Sequence, residues 1–197
     1  MERYLVRLQS DSPDHWLLKG GVALELRLRE RARTTVDMDL AIELEVSGAS
    51  SAISEEIRDR LQEGGEEVGE DYFEFTLPQR ADTDLHLDGV NAHRFQVVAS
   101  LAGRVFDRFQ LDVAPDEPGS VPTEDIDGSG LLVFAGIPVE RFRVVSRARH
   151  FAEKIHAYTQ PRERNTRVKD LVDLLLLERI GPLPADEIRK ELGKVFG

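Results

Sequence analysis

The feature that most constrains the fold is a pair of adjacent stretches, residues 94–101 and 104–113, in which apolar and polar side chains alternate. This period of two is typical of half-buried β-strands, and the intervening Ala102-Gly103 predicts a tight turn between them. In the second stretch, the alternation places Phe109 and Leu111 on one face and Asp112 on the other. The chain must therefore build a sheet with one apolar face, and a carboxylate lies on the opposite face.

The other periodic segments predict a mixed α/β (α+β) protein. Before residue 140, helical patterns cover residues 2–9, 22–30 and 50–63, and strand patterns cover residues 36–43, 72–75 and 131–134. Gly64-Gly65 is predicted to end the third helix, and the Pro- and Gly-rich residues 114–130 are predicted to form a long loop. After Val145 the patterns are helical, over residues 146–158, 167–179 and 185–195.

These patterns predict an α/β lobe with a mixed sheet, residues 1–140, followed by a helical lobe, residues 141–197. The two lobes are expected to form one compact bilobed unit that shares an active site. A chain of 197 residues is long enough to bury a core of useful size without disulfides.

Composition excludes several classes of site. The chain contains no cysteine, which rules out disulfides, thiolate zinc sites and a cysteine nucleophile. The first residues, MERYLVRLQS, lack the apolar stretch of a signal peptide. The apolar run Leu174–Leu177 is far shorter than the ~20 residues that a membrane span needs. We therefore expect a cytoplasmic protein with no membrane partner.

Charge is distributed unevenly along the chain, whose net charge is −11. The segment Glu43–Asp88 contains 14 acidic and 3 basic side chains, and Glu140–Asp170 contains 9 basic and 4 acidic ones. The acidic segment is expected to face solvent or a basic partner. The basic segment, with Arg162 and Arg164 among its members, either binds phosphates or forms the solvated faces of helices.

The sharpest candidate for chemistry is the pair Asp37 and Asp39. Residues two apart on a strand share a face, so the two carboxylates project together while Met38 packs behind them. Adjacent carboxylates repel each other unless a cation lies between them, and oxygen ligands suit Mg²⁺ or Mn²⁺. Asp112 is a candidate third carboxylate. The alternative is a set of solvent-facing aspartates on a polar sheet face.

Two further features add to this candidate. Gly20-Gly21 precedes a predicted helix, where backbone N–H groups can bind an anion, although such a pair can also be a plain turn. In the helical segment, Asp170 and Asp173 are three residues apart and share a helix face. Lys169-Asp170 is either part of a site or a structural ion pair.

Five stretches together resemble the AbiEii/MenT nucleotidyltransferase-like toxins. They are Leu18-Lys19-Gly20-Gly21-Val22-Ala23-Leu24, Arg33-Thr34-Thr35-Val36-Asp37-Met38-Asp39-Leu40, Phe109-Gln110-Leu111-Asp112-Val113, Ala152-Glu153-Lys154-Ile155-His156-Ala157-Tyr158 and Arg167-Val168-Lys169-Asp170-Leu171-Val172-Asp173-Leu174. The resemblance implies a fold like that of DNA polymerase β. It also implies a toxin that moves a nucleotide from an NTP to RNA, with tRNA 3′ ends as the substrate class, beside a cognate antitoxin.

The resemblance also assigns roles to residues. Asp37 and Asp39 become catalytic metal ligands for Mg²⁺ or Mn²⁺, with Asp112 as the third carboxylate. Lys154 becomes a catalytic triphosphate contact, Asp170 a catalytic residue of the last motif, and Asp173 a supporting residue. The residues expected to bind NTP phosphates or RNA are Gly20, Gly21, Arg33, Thr35, Arg167 and Lys169. One departure from the wider nucleotidyltransferase pattern is Gly20-Gly21, where Gly-Ser is more usual, so a phosphate contact there falls to backbone N–H groups.

Two other functions remain open. A metal-dependent ribonuclease would use the same carboxylates, but it gives no reason for the glycine turn and Lys154. A non-catalytic module that binds RNA or a protein partner would leave the carboxylates inert.

Overall fold

The computed structural model describes residues 1–29, 35–44, 49–66, 69–78, 83–87, 90–161 and 167–197. The mixed α/β fold predicted from the sequence is confirmed. The strands are β1 (Trp16–Lys19), β2 (Asp37–Glu43), β3 (Phe73–Thr76), β4 (Thr83–Leu87), β5 (Val90–Leu101), β6 (Arg104–Asp116), β7 (Thr123–Asp127) and β8 (Arg141–Val145). The helices are α1 (Glu2–Asp11), α2 (Gly20–Leu28), α3 (Ser50–Glu66), α4 (Arg147–Thr159), α5 (Val168–Arg179) and α6 (Ala185–Phe196).

The strands form one mixed sheet in the order β3-β5-β6-β2-β1-β8-β7, with β4 alongside β5. β2 runs parallel to β6 and β1 parallel to β8, whereas the other neighbouring pairs are antiparallel. Strand β8 lies beyond residue 140, so the sheet includes the first residues of the segment 141–197. Helices α4, α5 and α6 follow it, and α4 packs against the other two. The division into two lobes stays a prediction.

The main hydrophobic core lies on one face of the sheet. It contains Tyr4 and Leu8 of α1, Leu61 of α3, and Phe95 and Leu111 of the sheet. The opposite face carries only a small apolar cluster within the described residues, formed by Leu17, Ala41, Val121 and Val145. That second face is therefore free to carry charged side chains, as the alternation in β6 predicts.

The predicted hairpin is confirmed, and it contains a β-bulge that the sequence does not reveal. Its turn, Ala102-Gly103, has φ angles of 50° and 71°, the left-handed conformation that suits two-residue hairpins. Phe106 is an additional residue in β6, where the register shifts. As a result Arg94 lies opposite Asp112, whereas the register set by the turn alone would place it opposite Leu111.

Two predictions between residues 114 and 134 are wrong. The predicted loop contains strand β7, which pairs with β8; its acidic side chains are tolerated because β7 is an edge strand with an exposed side. The strand predicted over residues 131–134 is replaced by a turn with a 3₁₀ helix, Val133–Ala135. Gly130 and Gly136 flank this turn with positive φ angles, which a strand does not accommodate.

The predicted helix end at Gly64-Gly65 is also wrong, because α3 continues to Glu66. The two glycines instead allow α3 to approach α1 closely. A Cβ atom at Gly64 would lie 2.7 Å from a Leu8 methyl carbon, and one at Gly65 would lie 3.2 Å from the Tyr4 ring. Among the described helices, none combines the length and apolar character needed to cross a membrane.

The acidic segment Glu43–Asp88 does not face solvent throughout, since Glu43 and Asp71 are buried. Asp71 bonds to Arg3, and its Oδ1 accepts from Nη2 of Arg7 at 2.5 Å. The side chains of Asp71 and Arg7 are 0% and 3% exposed. This ion pair therefore ties the start of β3 to α1.

We predict that Asp71→Ala lowers the free energy of unfolding by about 3–5 kcal/mol, because Arg7 stays buried without its carboxylate. Urea denaturation measures the change. The control is Asp59→Ala on the exposed side of α3, for which a change within about 0.5 kcal/mol is expected.

The difference should also depend on pH. Burial acts to raise the pKa of Asp71, but hydrogen bonds from Arg7 and Arg3 lower this pKa overall. The contribution of the ionised carboxylate is thus present above the unfolded-state pKa of about 4 and is lost as the pH falls through the lower folded-state pKa. The gap between wild type and Asp71→Ala should narrow on acidification, and a gap that stays constant would contradict this assignment.

Candidate active site

A row of charged residues crosses four neighbouring strands on the face opposite the main core. In register, Lys19 of β1 lies opposite Asp39 of β2, Asp39 lies beside Asp112 of β6, and Asp112 lies opposite Arg94 of β5. Directly opposed residues project from the same face of a sheet. The row therefore brings two carboxylates together between a lysine and an arginine.

The two central carboxylates are electrostatically unfavourable neighbours. Burial and the charge of Asp112 raise the pKa of Asp39, while Lys154 and the backbone N–H of Gly21 partly offset them. Asp37 also contributes repulsion, because it shares the strand face with Asp39. Ionised carboxylates in this arrangement are stabilised by an added cation. Among the described residues, no group of three or more His, Cys, Asp or Glu side chains is arranged to hold a metal ion on its own.

The glycine turn between β1 and α2 is built against Asp39. Gly20 has φ of 58°, and a Cβ atom there would lie 2.6 Å from Cγ of Asp39 and overlap its carboxylate. At Gly21 a Cβ atom would lie 2.6 Å from Oγ1 of Thr35. Only glycine satisfies both the left-handed backbone and the close approach at residue 20. The predicted anion-binding turn is thus a cradle for the Asp39 carboxylate, whose hydrogen bond the Gly21 N–H supplies.

Lys154 is held by two buried carboxylates of α5. Its Nζ lies 2.9 Å from Oδ1 of Asp170 and 3.0 Å from Oδ2 of Asp173, and both aspartate side chains are 0% exposed. Arg167 approaches Asp170 at 3.5 Å. Burial acts to lower the pKa of Lys154, but the two carboxylates raise this pKa overall. Lys154 therefore stays charged, and Asp170 and Asp173 fix its position.

A cleft of about 400 Å³ unites the sheet face with the helical segment. Its charged lining comprises Lys19, Asp39, Asp112, Asp116, Arg149, Glu153, Lys154, Arg167, Asp170 and Lys194. Gly20 also lines it. This mixture of both signs suits a ligand that combines a polyanion with cations.

The predicted site residues fall into four groups. Asp39, Asp112, Lys154, Asp170, Gly20 and Arg167 line the cleft. Four more lie next to lining residues: Gly21 donates to Asp39, Asp173 binds Lys154, and Asp37 shares a face of β2 with Asp39. Thr35 donates a hydrogen bond to the Asp37 carbonyl. Lys169 is exposed on α5 and does not line the cleft. Arg33 lies outside the described residues.

Sequence reasoning missed a network that links the sheet to α4 and α6. Nζ of Lys19 lies 2.9 Å from Glu153 and 3.6 Å from Asp116, and Arg149 lies 2.9 Å from the same Glu153. Arg149 and a lysine of α6 then both reach Glu191. The only sequence signal was the place of Lys19, directly before the glycine turn at the end of a strand.

Most described arginines of the basic segment already have partners inside the fold. Arg143 contacts Glu43 at 3.3 Å, Arg147 donates to the carbonyls of Gly181 and Pro182, and Arg149 belongs to the network around Glu153. Arg162 and Arg164 lie outside the described residues. These arginines therefore hold β8 and α4 against the neighbouring parts of the fold.

One buried histidine in the cleft is not an acid or base at neutral pH. Burial and the charge of Arg27 lower the pKa of His150 to about 3. Its Nδ1 lies 3.1 Å from Nη1 of Arg27, and since a guanidinium only donates, Nδ1 accepts and the proton is on Nε2.

The chain is similar to known proteins in both sequence and fold. Residues 3–197 match the family described as nucleotidyl transferase AbiEii toxin, type IV toxin–antitoxin system. No curated protein matches the chain in sequence.

Two solved structures share the architecture. An antigenic nucleotidyltransferase-like protein from Paracoccidioides brasiliensis is 16% identical with a TM-score of 0.55, the alignment covering 98% of this chain and 84% of that one. JHP933 from Helicobacter pylori is 17% identical with a TM-score of 0.52, and the alignment covers 90% of this chain but 63% of that one. At these identities the likeness shows a nucleotidyltransferase-like fold.

We predict that Gly20→Ala destabilises the protein more than Gly103→Ala does. Both residues have positive φ, but a Cβ atom at Gly103 meets nothing within 4 Å whereas one at Gly20 meets the Asp39 carboxylate. Gly103→Ala should therefore cost about 1–2 kcal/mol of backbone strain, and Gly20→Ala should add the displacement of Asp39. Urea denaturation of the two variants measures the difference, and equal losses would show that Asp39 does not rest against the turn.

Proposed function

Because the chain belongs to the AbiEii nucleotidyl transferase toxin family, we propose that it transfers a nucleotide from an NTP to RNA, with the tRNA 3′ end as acceptor. The observation that carries the proposal is the cleft itself. It combines closely spaced carboxylates with a lysine that is held charged and partly buried, and transfer from a triphosphate needs both. Blocking of translation would follow from modified tRNA ends, and a cytoplasmic location with an antitoxin fits this role.

The acidic residues fit a divalent cation. Asp37 and Asp39 supply the hard oxygen ligands that Mg²⁺ and Mn²⁺ prefer. Burial and the neighbouring charge of Asp112 raise the pKa of Asp39, and a bound cation would relieve both effects. The absence of a side chain at Gly20 lets the backbone of the turn lie directly against the Asp39 carboxylate. We propose Asp37 and Asp39 as the ligands, with Asp112 as the third carboxylate of the reaction. When bound, such a cation neutralises triphosphate charge and makes an acceptor hydroxyl more acidic.

The reaction would be an in-line displacement. The oxygen of the acceptor hydroxyl forms a bond to the α-phosphorus, the bond between that phosphorus and the bridging oxygen breaks, and pyrophosphate leaves with the electron pair. The hydroxyl proton passes to water. Lys154 would lie against the phosphates and stabilise the charge that builds up on pyrophosphate.

Asp170 and Asp173 act through Lys154. Both side chains are fully buried and both bond to its ammonium group, so we propose them as positioning residues for the lysine. Without Asp170 the ammonium would lose one of its two anchors. Arg167 and Lys169 at the N-terminal end of α5, together with the undescribed Arg33, are proposed to contact NTP or RNA phosphates.

Incubation of the protein with RNA and each of the four α-labelled NTPs tests the proposal. We expect label to enter RNA, with the RNA lengthened by nucleotides, and Asp39→Asn to abolish this transfer because a neutral amide is a poor cation ligand. EDTA should stop the wild-type reaction. Shortened RNA without label would instead favour the ribonuclease, and unchanged RNA would favour a binding module.

A second prediction concerns Lys154. Its contact should strengthen as charge moves onto the leaving pyrophosphate, so Lys154→Met should lower the single-turnover rate by orders of magnitude and leave RNA affinity nearly unchanged. Lys190→Met, on an exposed position of α6, is the matched control. Weak RNA binding with a normal chemical rate in Lys154→Met would place this lysine on the RNA surface instead.

A further inference from the structure

Arg94 donates two hydrogen bonds to the Asp112 carboxylate. Its Nε lies 2.7 Å from Oδ1 and its Nη2 lies 2.7 Å from Oδ2 of the same carboxylate. Paired hydrogen bonds between a guanidinium and a carboxylate are stronger than neutral hydrogen bonds and fix the relative orientation of the two groups. Both oxygens of the expected third metal ligand are therefore already engaged by a cationic side chain.

In the register of the sheet, Asp112 lies between Arg94 of β5 and Asp39 of β2. A fixed positive charge thus stands next to the acidic group on the side of Asp112. A cation bound to Asp112 would have to lie beside this charge, whereas a cation bound to Asp37 and Asp39 would not displace the fork.

The two partners of the contact differ in exposure. The Asp112 side chain is 8% exposed, whereas that of Arg94 is 32% exposed. The arginine therefore has a route into solvent that the aspartate lacks. An arginine fork binds phosphate oxygens as well as carboxylate oxygens. Asp112 lines the cleft, so a triphosphate that reaches Asp112 would offer Arg94 an alternative partner.

We propose that Arg94 is a positioning residue that withholds Asp112 from metal coordination, so that the nucleotide-free protein binds a single divalent cation through Asp37 and Asp39. A second cation then has to enter together with the triphosphate. This inference rests on the proposed function, because it takes the carboxylates as the metal site. Beyond that function, the inference says that the second metal ion binds only when the triphosphate has entered.

The test is Mn²⁺ binding to the nucleotide-free protein, counted by electron paramagnetic resonance and equilibrium dialysis. We expect one Mn²⁺ per wild-type chain. Arg94→Ala should bind two, with the added ion lost again in Arg94→Ala/Asp112→Asn. Arg108→Ala is the control for the loss of a positive charge. Arg108 is exposed on the same face of β6, four residues before Asp112. The Arg108→Ala variant should bind one ion, as wild type does.

The affinity for the first ion gives an independent check. Arg94→Ala/Asp112→Asn should bind its single Mn²⁺ with an affinity within about twofold of wild type, because Asp112 does not ligate the first ion and the ion pair is removed without leaving an unpaired charge. Loss of a residue that hydrogen-bonds a metal ligand typically weakens metal binding by about 10–100-fold. A loss of that size or larger in the double variant, or two ions on wild type, or one ion on a folded Arg94→Ala, would overturn the inference.

Failure of this inference is distinguishable from failure of the proposed function. Transfer of label to RNA by a protein that binds two Mn²⁺ without nucleotide would overturn the role of Arg94 and leave the transferase intact. Binding of a single Mn²⁺ with the expected response to Arg94→Ala, but with no label transferred, would overturn the transferase and leave the metal control standing.

Discussion

The arrangement of the site depends on the parallel register of β2 and β6, because this register places Asp39 directly beside Asp112. Two carboxylates at this spacing on a partly buried sheet face repel each other, and the fold must supply positive charge or hydrogen-bond donors around them. They arrive from different directions: a backbone N–H from the start of α2, a guanidinium from β5 and an ammonium from α4. The arrangement of elements around this pair of strands can be understood as a response to that repulsion.

The helical segment is attached to the sheet by polar as well as apolar contacts. Lys19 bonds to Glu153 of α4, and Lys154 on the next position of the same helix is anchored to α5. One turn of α4 is therefore fixed from the strand side and from the helix side by neighbouring residues. Such charge pairs contribute little to net stability when both partners are replaced together, but breaking one leaves a buried charge without its partner. A shift of α4 relative to β1 or α5 would break these pairs, so they hold in place the residues of both parts that line the cleft.

The sequence predicted most elements of the fold because its periodic patterns reflect burial on one face. The hairpin, strand β2, helix α3 and the three C-terminal helices follow from such local patterns. Local patterns do not report close packing between distant parts, and this explains why Gly64-Gly65 was interpreted as a helix end when Leu8 of another helix demands the glycines. Strand β7 was missed for a related reason: its acidic residues fit an edge strand, which only the neighbouring β8 defines.

The candidate site was predicted in its carboxylates and in Lys154, but not in Lys19, Arg94 or the network around Glu153. The carboxylates lie close together in sequence or in short motifs, whereas Arg94 owes its place to the bulge at Phe106. Because of that bulge, the turn end of the hairpin tolerates changes in length better than the end that contains Asp112. Insertions at the turn only alter the tip, whereas loss of one residue between the bulge and Asp112 would exchange the two faces of β6 and direct Asp112 into the apolar core. Related chains should therefore vary freely in hairpin length at one end and hardly at all at the other.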